Sequence, residues 1–279
     1  MVADSQKITA NRTKANHSHF LLTPERYTAS VSDTLVVNEI YLSLQGESTF
    51  AGLPCIFVRF TACDLRCSYC DTVYAFTEGK KMSLDEIRAE VRRLAAPFRP
   101  SLNPQPSTLN SVPLVELTGG EPLLQKNSLP LMKRLCDDGF TVLLETSGAH
   151  DISQVDARVR RIMDLKCPGS GEVEHNRWGN LKHLKATDEI KFVIGTQQDY
   201  DWAKQKISGH KLNTICPLLI SWARPLAPEQ RDKSLKKVPL GQTPISQQQL
   251  AEKIIADALP VRFQIQMHKI IWPPEQRGV

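Results

Sequence analysis

The stretch "CDLRCSYCDT", Cys63 to Thr72, decides how the whole chain reads. Its three cysteines, Cys63, Cys67 and Cys70, stand at C-x3-C-x2-C spacing, and no fourth cysteine is close by. A closed structural zinc site takes four ligands, usually in paired Cys or His groups. Neither a second cysteine pair nor a close histidine pair follows, and the seven histidines are scattered. Three thiolates on a short loop can instead hold three irons of a 4Fe–4S cluster, because soft sulfur suits iron–sulfur chemistry. The fourth iron is then left without a protein ligand and can bind a small molecule. Both readings stand at this point: an open cluster, or a zinc site completed by a distant residue.

Working outward, the 279 residues suit one large α/β domain or two small ones, long enough to bury a substantial core. No apolar run reaches the roughly 18 residues of a transmembrane helix. The polar start "MVADSQKITANRTK" lacks the apolar stretch of a signal peptide. A cytoplasmic protein with no membrane partner is expected. There, clustered cysteines favour metal or redox chemistry over disulfides. The other four cysteines lie in or beside apolar stretches, and Cys55 and Cys136 read as small core residues. The net charge of +5 is modest and dispersed. Its densest run, "RDKSLKK" (Arg231 to Lys237), reads as solvated surface rather than a nucleic-acid contact.

From Leu35 onward the chain alternates between two hydrophobic periods. "LVVNEIYL", "CIFVRFT", "PLVELT", "TVLLET", "RIMDLK", "DEIKFVI", "TICPLLI" and "VRFQIQM" read as strands. Between them, "SLDEIRAEVRRLAA" opens on a capping-box pair, Ser83 and Glu86, and keeps Leu84, Ile87, Val91 and Leu94 on one face. "LPLMKRLCDDG" ends in Gly139 as a C-cap would, and "DYDWAKQKIS" and "SQQQLAEKIIADAL" are further helices. Such alternation predicts a parallel sheet, open or curled into a partial barrel. Residues 1–33 are polar and pattern-free and predict a mobile extension. Residues 34–279 predict a single catalytic domain, with loop insertions near 97–112, 167–180 and 221–243.

Polar motifs recur at the ends of consecutive strands, where parallel α/β folds build their active sites. They are "LTGGEP" (Leu117 to Pro122), "ETSG" (Glu145 to Gly148) and "DLKCPGS" (Asp164 to Ser170). Together with the cysteine loop they resemble the radical S-adenosylmethionine (SAM) superfamily. That resemblance implies an α/β fold with a partial, TIM-like parallel barrel. It also implies an open iron that holds the amino and carboxylate groups of SAM, and an electron donor such as flavodoxin or ferredoxin. The SAM-binding residues it implies are Tyr69 and Asp71 in the loop, Gly119, Gly120 and Glu121 in the glycine turn, and Glu145, Ser147 and Lys166 beyond. Cys216, Pro217 and Leu218 of "TICPLLI" are matched to its second SAM-binding stretch.

A narrower resemblance rests on "SLQGE", "VRF", the cysteine loop running into "CDT", "LTGGEPLLQ", "ETSG", "DEIKFVI" and "RFQIQMHK", in that order from about Glu39 to His268. These pieces are similar to the 7-carboxy-7-deazaguanine synthase family of queuosine and 7-deazapurine biosynthesis, a tRNA modification pathway. The resemblance implies a lyase that converts 6-carboxy-5,6,7,8-tetrahydropterin to 7-carboxy-7-deazaguanine with loss of ammonia. It carries pterin contacts onto Leu44, Gln45, Gly46 and Glu47, and a carboxylate contact onto Arg59, whose planar fork suits it. Thr118 and His268 complete that pocket, the Thr72 hydroxyl is placed on Mg²⁺, and a homodimer is implied. No protein acid or base is assigned. Two departures are visible: the chain continues past "HK" through "IIWPPEQRGV", and the polar extension has no counterpart. Two other functions remain open, an activase of a glycyl-radical enzyme and a zinc-stabilised binding protein without catalysis.

Overall fold

In the computed structural model, residues 33–98, 113–226, 231–273 and 276–279 are described. The expected extension, up to residue 32, and most of the insertion near 97–112 lie outside them. Strand β1 (Thr34–Leu44) runs antiparallel to β2 (Pro54–Phe60) and to β3 (Lys80–Ser83). Beyond β2 every neighbour is parallel: β4 (Leu114–Gly119), β5 (Val142–Thr146), β6 (Arg160–Asp164), β7 (Glu189–Ile194), β8 (Leu218–Trp222) and β9 (Arg262–Gln264). The order in the nine-stranded sheet is β3-β1-β2-β4-β5-β6-β7-β8-β9, with β3 and β9 at its two edges. This is the expected parallel-dominated α/β sheet, curled but not closed.

Helices α1 (Leu84–Ala95), α2 (Ser128–Asp137), α3 (Gln197–Gly209) and α4 (Gln247–Ala256) fall where the periodicity placed them. The Ser83–Glu86 capping box forms at α1, and Gly139 follows α2 at φ +90°. Alternate strand residues divide the interior in two. Ile56, Val58, Val115, Leu117, Leu144 and Phe192 join the apolar faces of the helices in the main core. Cys55, Phe57, Leu114, Leu143 and Ile162 form a second, smaller cluster on the concave face. Cys55 is thus buried as expected, while Cys136 is only partly buried at the edge of the main core.

Three expectations need correction. "VRFQIQM" is a strand only over Arg262–Gln264, because Met267 N donates to Gly46 O (3.2 Å) and the chain turns into helix α5 (His268–Ile271). His268 therefore sits on a helix, not at a strand end. In "TICPLLI" the strand starts at Leu218, after a short turn over Leu212–Thr214. The short charged strand β3 escaped notice because "KKMS" has no apolar alternation.

Between β6 and β7, Asp188 is fully buried and accepts from Arg161 Nη1 (3.0 Å), Arg161 N (3.1 Å) and Lys185 N (2.9 Å). An Asp188→Ala protein leaves the buried Arg161 guanidinium unpaired, and its unfolding free energy is expected to drop by about 3–5 kcal/mol in a denaturant titration. A loss below about 1 kcal/mol would show that the pair is solvated in solution.

Candidate active site

The reversed strand β1 delivers "LQGE" to the starting ends of the parallel strands, since Leu44 pairs with Pro54 at the beginning of β2. From there the β1–β2 loop folds into the concave interior. Thr49 N donates to Glu189 Oε1 (3.0 Å) at the foot of β7. Ser48, in the left-handed region at φ +68°, is held at both backbone atoms by the Gln264 amide of β9 (3.1 and 2.8 Å). The loop thereby spans from β1 to the opposite edge of the sheet. A Cβ on Gly46 would stand 2.8 Å from His268 Nδ1, so a larger residue there would have to push the imidazole aside.

Glu47 reaches a buried charge chain. Lys191 Nζ, on β7, donates to Glu47 Oε2 (2.9 Å) and to Glu145 Oε1 (2.8 Å). Ser221 Oγ donates to Glu47 Oε1 (2.7 Å), and Thr118 Oγ1 donates to Glu145 Oε2 (3.0 Å). Burial alone would depress the Lys191 ammonium, yet Glu145 and Glu47 outweigh it and hold it well above the usual lysine range. The same ammonium outweighs desolvation at Glu145 and keeps that carboxyl below the usual carboxylate range.

Two adjoining cavities share Glu47, Asp71, Thr72, Arg224, Gln266 and Lys269 in their walls. The larger, about 520 Å³, is lined by Leu44, Gln45, Gly46, Arg59, Glu116 and His268, among others. Arg59 donates through Nε to Glu39 (2.8 Å) and through Nη2 to Tyr41 OH (2.8 Å). Burial opposes the Arg59 charge, and Tyr41, Tyr74 and Glu39 more than offset it, so a fixed cation faces this cavity. Burial pushes the His268 imidazole below its ordinary value, so it is neutral at pH 7.

The smaller cavity, about 190 Å³, has Cys63, Cys67 and Cys70 in its wall, and no other cysteine lines it among the described residues. Burial pushes the Cys63 thiol up to about 11 and the Cys70 thiol up to about 12. Gly119 and Gly120 press against the base of the cysteine loop. A Cβ on Gly120 would stand 1.9 Å from Ala62 O, and Gly119 sits at φ +123°. Arg66 ties the loop from within, Nη1 donating to Cys63 O (2.6 Å) and Leu65 O (2.7 Å). Lys166 Nζ donates to Asp164 Oδ2 (2.7 Å), whereas Asp164 Oδ1 and the Tyr69 hydroxyl are buried in this wall with no partner among the described residues. Such atoms are costly unless a ligand satisfies them.

Among the described residues no three His, Cys, Asp or Glu side chains converge as a single metal ion requires. A cluster asks for something different: its three ligated irons are separate, so its thiolates stand around a face rather than meeting at a point. Three soft donors around one cavity, beside two unpartnered polar atoms, fit a 4Fe–4S cluster with a polar ligand on its open iron.

The site residues read from the sequence are thus brought together, with exceptions. Thr118 lines the smaller cavity rather than the larger. Thr72 Oγ1 donates to Asp71 Oδ1 (2.9 Å), and Asp71 is further paired with the Lys269 ammonium. Desolvation would raise the Asp71 carboxyl, but Lys269 and the Thr72 hydroxyl hold it down to about 2. Glu121 does not face the cavity: it is fully buried and accepts from Leu123 N (3.0 Å), Thr146 Oγ1 (2.9 Å), Ser147 N (2.7 Å) and Ser147 Oγ (2.7 Å). It locks "GGEP" to "ETSG" instead. Cys216, Pro217 and Leu218 lie at the starting end of β8, away from the cavities, because a parallel strand carries its site beyond its carboxyl end. There Ser221 and Trp222 at the end of β8, with Ala223 and Arg224 just beyond it, line the smaller cavity.

Lys191, Asp164, Glu116 and Lys269 were missed. A lysine inside the apolar run of "DEIKFVI" is a signal, as is the two-residue step that puts Asp164 and Lys166 on one face. The pairing of Lys269 with Asp71 joins residues 198 apart and leaves no local trace.

Residues 57–169 match the Radical SAM superfamily. A 7-carboxy-7-deazaguanine synthase of Koribacter versatilis is 45% identical over 246 residues, covering 87% of this chain and 99% of the relative. The protein of the same name from Chlorobaculum tepidum is 40% identical over 253 residues, covering 90% of this chain and all of the relative. Among solved structures, QueE from Escherichia coli superposes with a TM-score of 0.59 at 20% identity, over 84% of this chain and 95% of that one. At that identity the likeness speaks for the fold alone.

Proposed function

The chain belongs to the 7-carboxy-7-deazaguanine synthase family of radical SAM enzymes, and from that premise we propose how its two cavities divide the work. The reaction is the conversion of 6-carboxy-5,6,7,8-tetrahydropterin to 7-carboxy-7-deazaguanine with loss of ammonia. The observation that carries this reading is the pair of adjoining cavities, one walled by three cysteines and the other by a buried cation, with Glu47 common to both.

When bound, the 4Fe–4S cluster and SAM supply a 5′-deoxyadenosyl radical that takes a hydrogen atom from the substrate. Cys63, Cys67 and Cys70 would hold the cluster, and Tyr69, Asp164 and Lys166 offer SAM a hydroxyl, a carboxylate oxygen and an ammonium. Gly119 and Gly120 leave backbone open to its amino group. In the larger cavity Arg59 faces the substrate carboxylate, a charge-assisted pair that orients the pterin. Gln45 and Glu47 address the ring, and neutral His268 closes against Gly46. Thr72 is the proposed Mg²⁺ contact. Magnesium keeps most of its waters, so one hydroxyl and the substrate carboxylate suffice on the protein side. A one-electron donor such as flavodoxin or ferredoxin, a homodimer and a cytoplasmic location complete the proposal. The glycyl-radical activase is not favoured, since the relatives that cover nearly the whole chain bear the synthase name.

The test is anaerobic incubation of reconstituted protein with the carboxy-tetrahydropterin, SAM, reductant and Mg²⁺. The expected result is the deazapurine product with its absorbance and mass, and its absence overturns the reading. A Thr72→Ala protein is expected to lose most of its stimulation by Mg²⁺ while keeping its basal rate within a few-fold. Undiminished stimulation would remove Thr72 from the metal site.

A further inference from the structure

Glu116 occupies an unusual place for a carboxyl group. It lies in the middle of β4, between Leu114 of the concave apolar cluster and Thr118, and it is 3% exposed. In register it stands opposite Phe57, one inward step below the pair formed by Arg59 and Thr118. It therefore forms the floor of the larger cavity, whose wall carries Arg59. Its Oε2 accepts a hydrogen bond from the Gln45 side-chain amide. Gln45 is committed on its other side, its Oε1 accepting from Glu47 N (2.9 Å). No hydrogen bond to Glu116 Oε1 is made among the described residues. That oxygen is not among the buried atoms lacking a partner, and its residue lines the cavity.

We propose that Glu116 is a specificity-determining residue for the bicyclic ring of the substrate, its free Oε1 donating a hydrogen bond to an acceptor on the polar edge of the ring. The assignment rests on the pterin reading of the larger cavity. A floor of apolar side chains would accept any flat ring. A single polar group there discriminates, because a ring without the matching acceptor leaves the buried carboxyl unpaired.

The chemistry of the surroundings decides which partner Oε1 can be. Burial pushes the Glu116 carboxyl well above the carboxylate range, and the nearby Glu145 and Glu47 carboxylates push the same way. Lys191 and Arg59 oppose them and do not prevail. Lys191 is already shared between Glu47 and Glu145, and Arg59 between Glu39 and Tyr41, so neither side chain is given over to Glu116. That burial and those neighbours favour the protonated, uncharged form of the group. With Oε2 serving as the acceptor for Gln45, the proton resides on Oε1, which becomes a donor pointing into the cavity. A ring carbonyl or unprotonated ring nitrogen is the complementary group, placed at the end of the cavity floor away from the carboxylate that Arg59 holds.

The test uses the full chain and a non-reacting probe, 6-carboxypterin, whose binding is read by fluorescence titration without cluster turnover. Wild type is expected to bind it, and Glu116→Leu to bind it about ten-fold or more weakly, the scale of one buried hydrogen bond. Glu116→Gln is expected to bind within about three-fold of wild type, because its amide N–H replaces the hydroxyl donor. As pH rises, wild-type binding should weaken relative to Glu116→Gln measured at the same pH, which cancels titration of the probe and of His268. Equal binding by Glu116→Leu overturns the proposal, as does Glu116→Gln losing as much as Glu116→Leu. Should Glu116→Leu fail to fold, the pH-matched ratio of wild type to Glu116→Gln decides, and a flat ratio overturns it. Failure of wild type to bind the probe overturns the pterin reading itself and this assignment with it.

Discussion

A Lys191→Met protein is expected to lose about 3–5 kcal/mol of unfolding free energy and nearly all product formation. The reason lies in what surrounds the ammonium. Lys191 is 5% exposed and is the shared partner of two carboxylates from different elements, Glu47 of the β1–β2 loop and Glu145 of β5. Without it both carboxylates stand in the concave interior facing each other's charge. The loop that carries Gln45 and Gly46 then loses one of its main anchors. Denaturant titration of the cluster-free protein reads the stability change, and 6-carboxypterin binding reads the loop. The pH dependence is set by the shifts. Lys191 is raised, so its contribution is fully present below the ordinary lysine value and fades only as pH rises through its higher folded value. Glu145 is lowered, so its contribution is present above the ordinary glutamate value and is lost as pH falls through its lower folded value. The difference between wild type and Lys191→Met should therefore be flat from about pH 6 to 9 and shrink below about pH 4. A stability loss under about 1 kcal/mol at pH 7 would mean that the pair is solvated and the charge chain contributes nothing.

The second large effect is expected at the cysteine loop. A Cys67→Ala protein, reconstituted anaerobically, should carry little iron and sulfide, lack the broad visible absorbance of a cluster, and form no detectable product. The Cys67 side chain is buried beside Lys166, and in the proposed cluster site it would supply a thiolate that alanine cannot replace for iron. Binding of 6-carboxypterin should stay within about three-fold of wild type, since Cys67 lines only the smaller cavity. Product formation by Cys67→Ala would remove the cluster from the reaction. A matching collapse of probe binding would show that the two cavities do not act separately.

These experiments probe features of unequal legibility. The cysteine loop, the glycine turn and "ETSG" are local: each motif is contiguous, and strand ends are where a parallel sheet exposes backbone and side chains. The helices were equally open to reading, because a capping box and an apolar stripe are local patterns, as at Ser83, Glu86, Ile87 and Val91. Glu121 misled because a carboxylate in a motif looks the same whether it meets a ligand or caps a neighbouring turn. Only its four hydrogen bonds to Leu123, Thr146 and Ser147 distinguish the two. Cys216 to Leu218 misled because a motif match carries no strand direction; placing the start of β8 at Leu218 puts them at the wrong end of the sheet.

By itself, then, the sequence determined the cluster loop, the alternation that makes a parallel α/β sheet, and the family, all of which depend on residue identity and short spacing. The tertiary structure alone decided how "LQGE" meets the strands. β1 runs backwards, its loop folds up into the concave face, and Gln264 fastens it 216 residues away. It alone also turned Glu116 from an anomalous strand residue into a cavity floor, and Lys191 into the junction of Glu47 and Glu145. The physical reason is common to both. A buried polar group is defined by the partners that compensate its desolvation, and those partners arrive from distant segments only when the chain has folded.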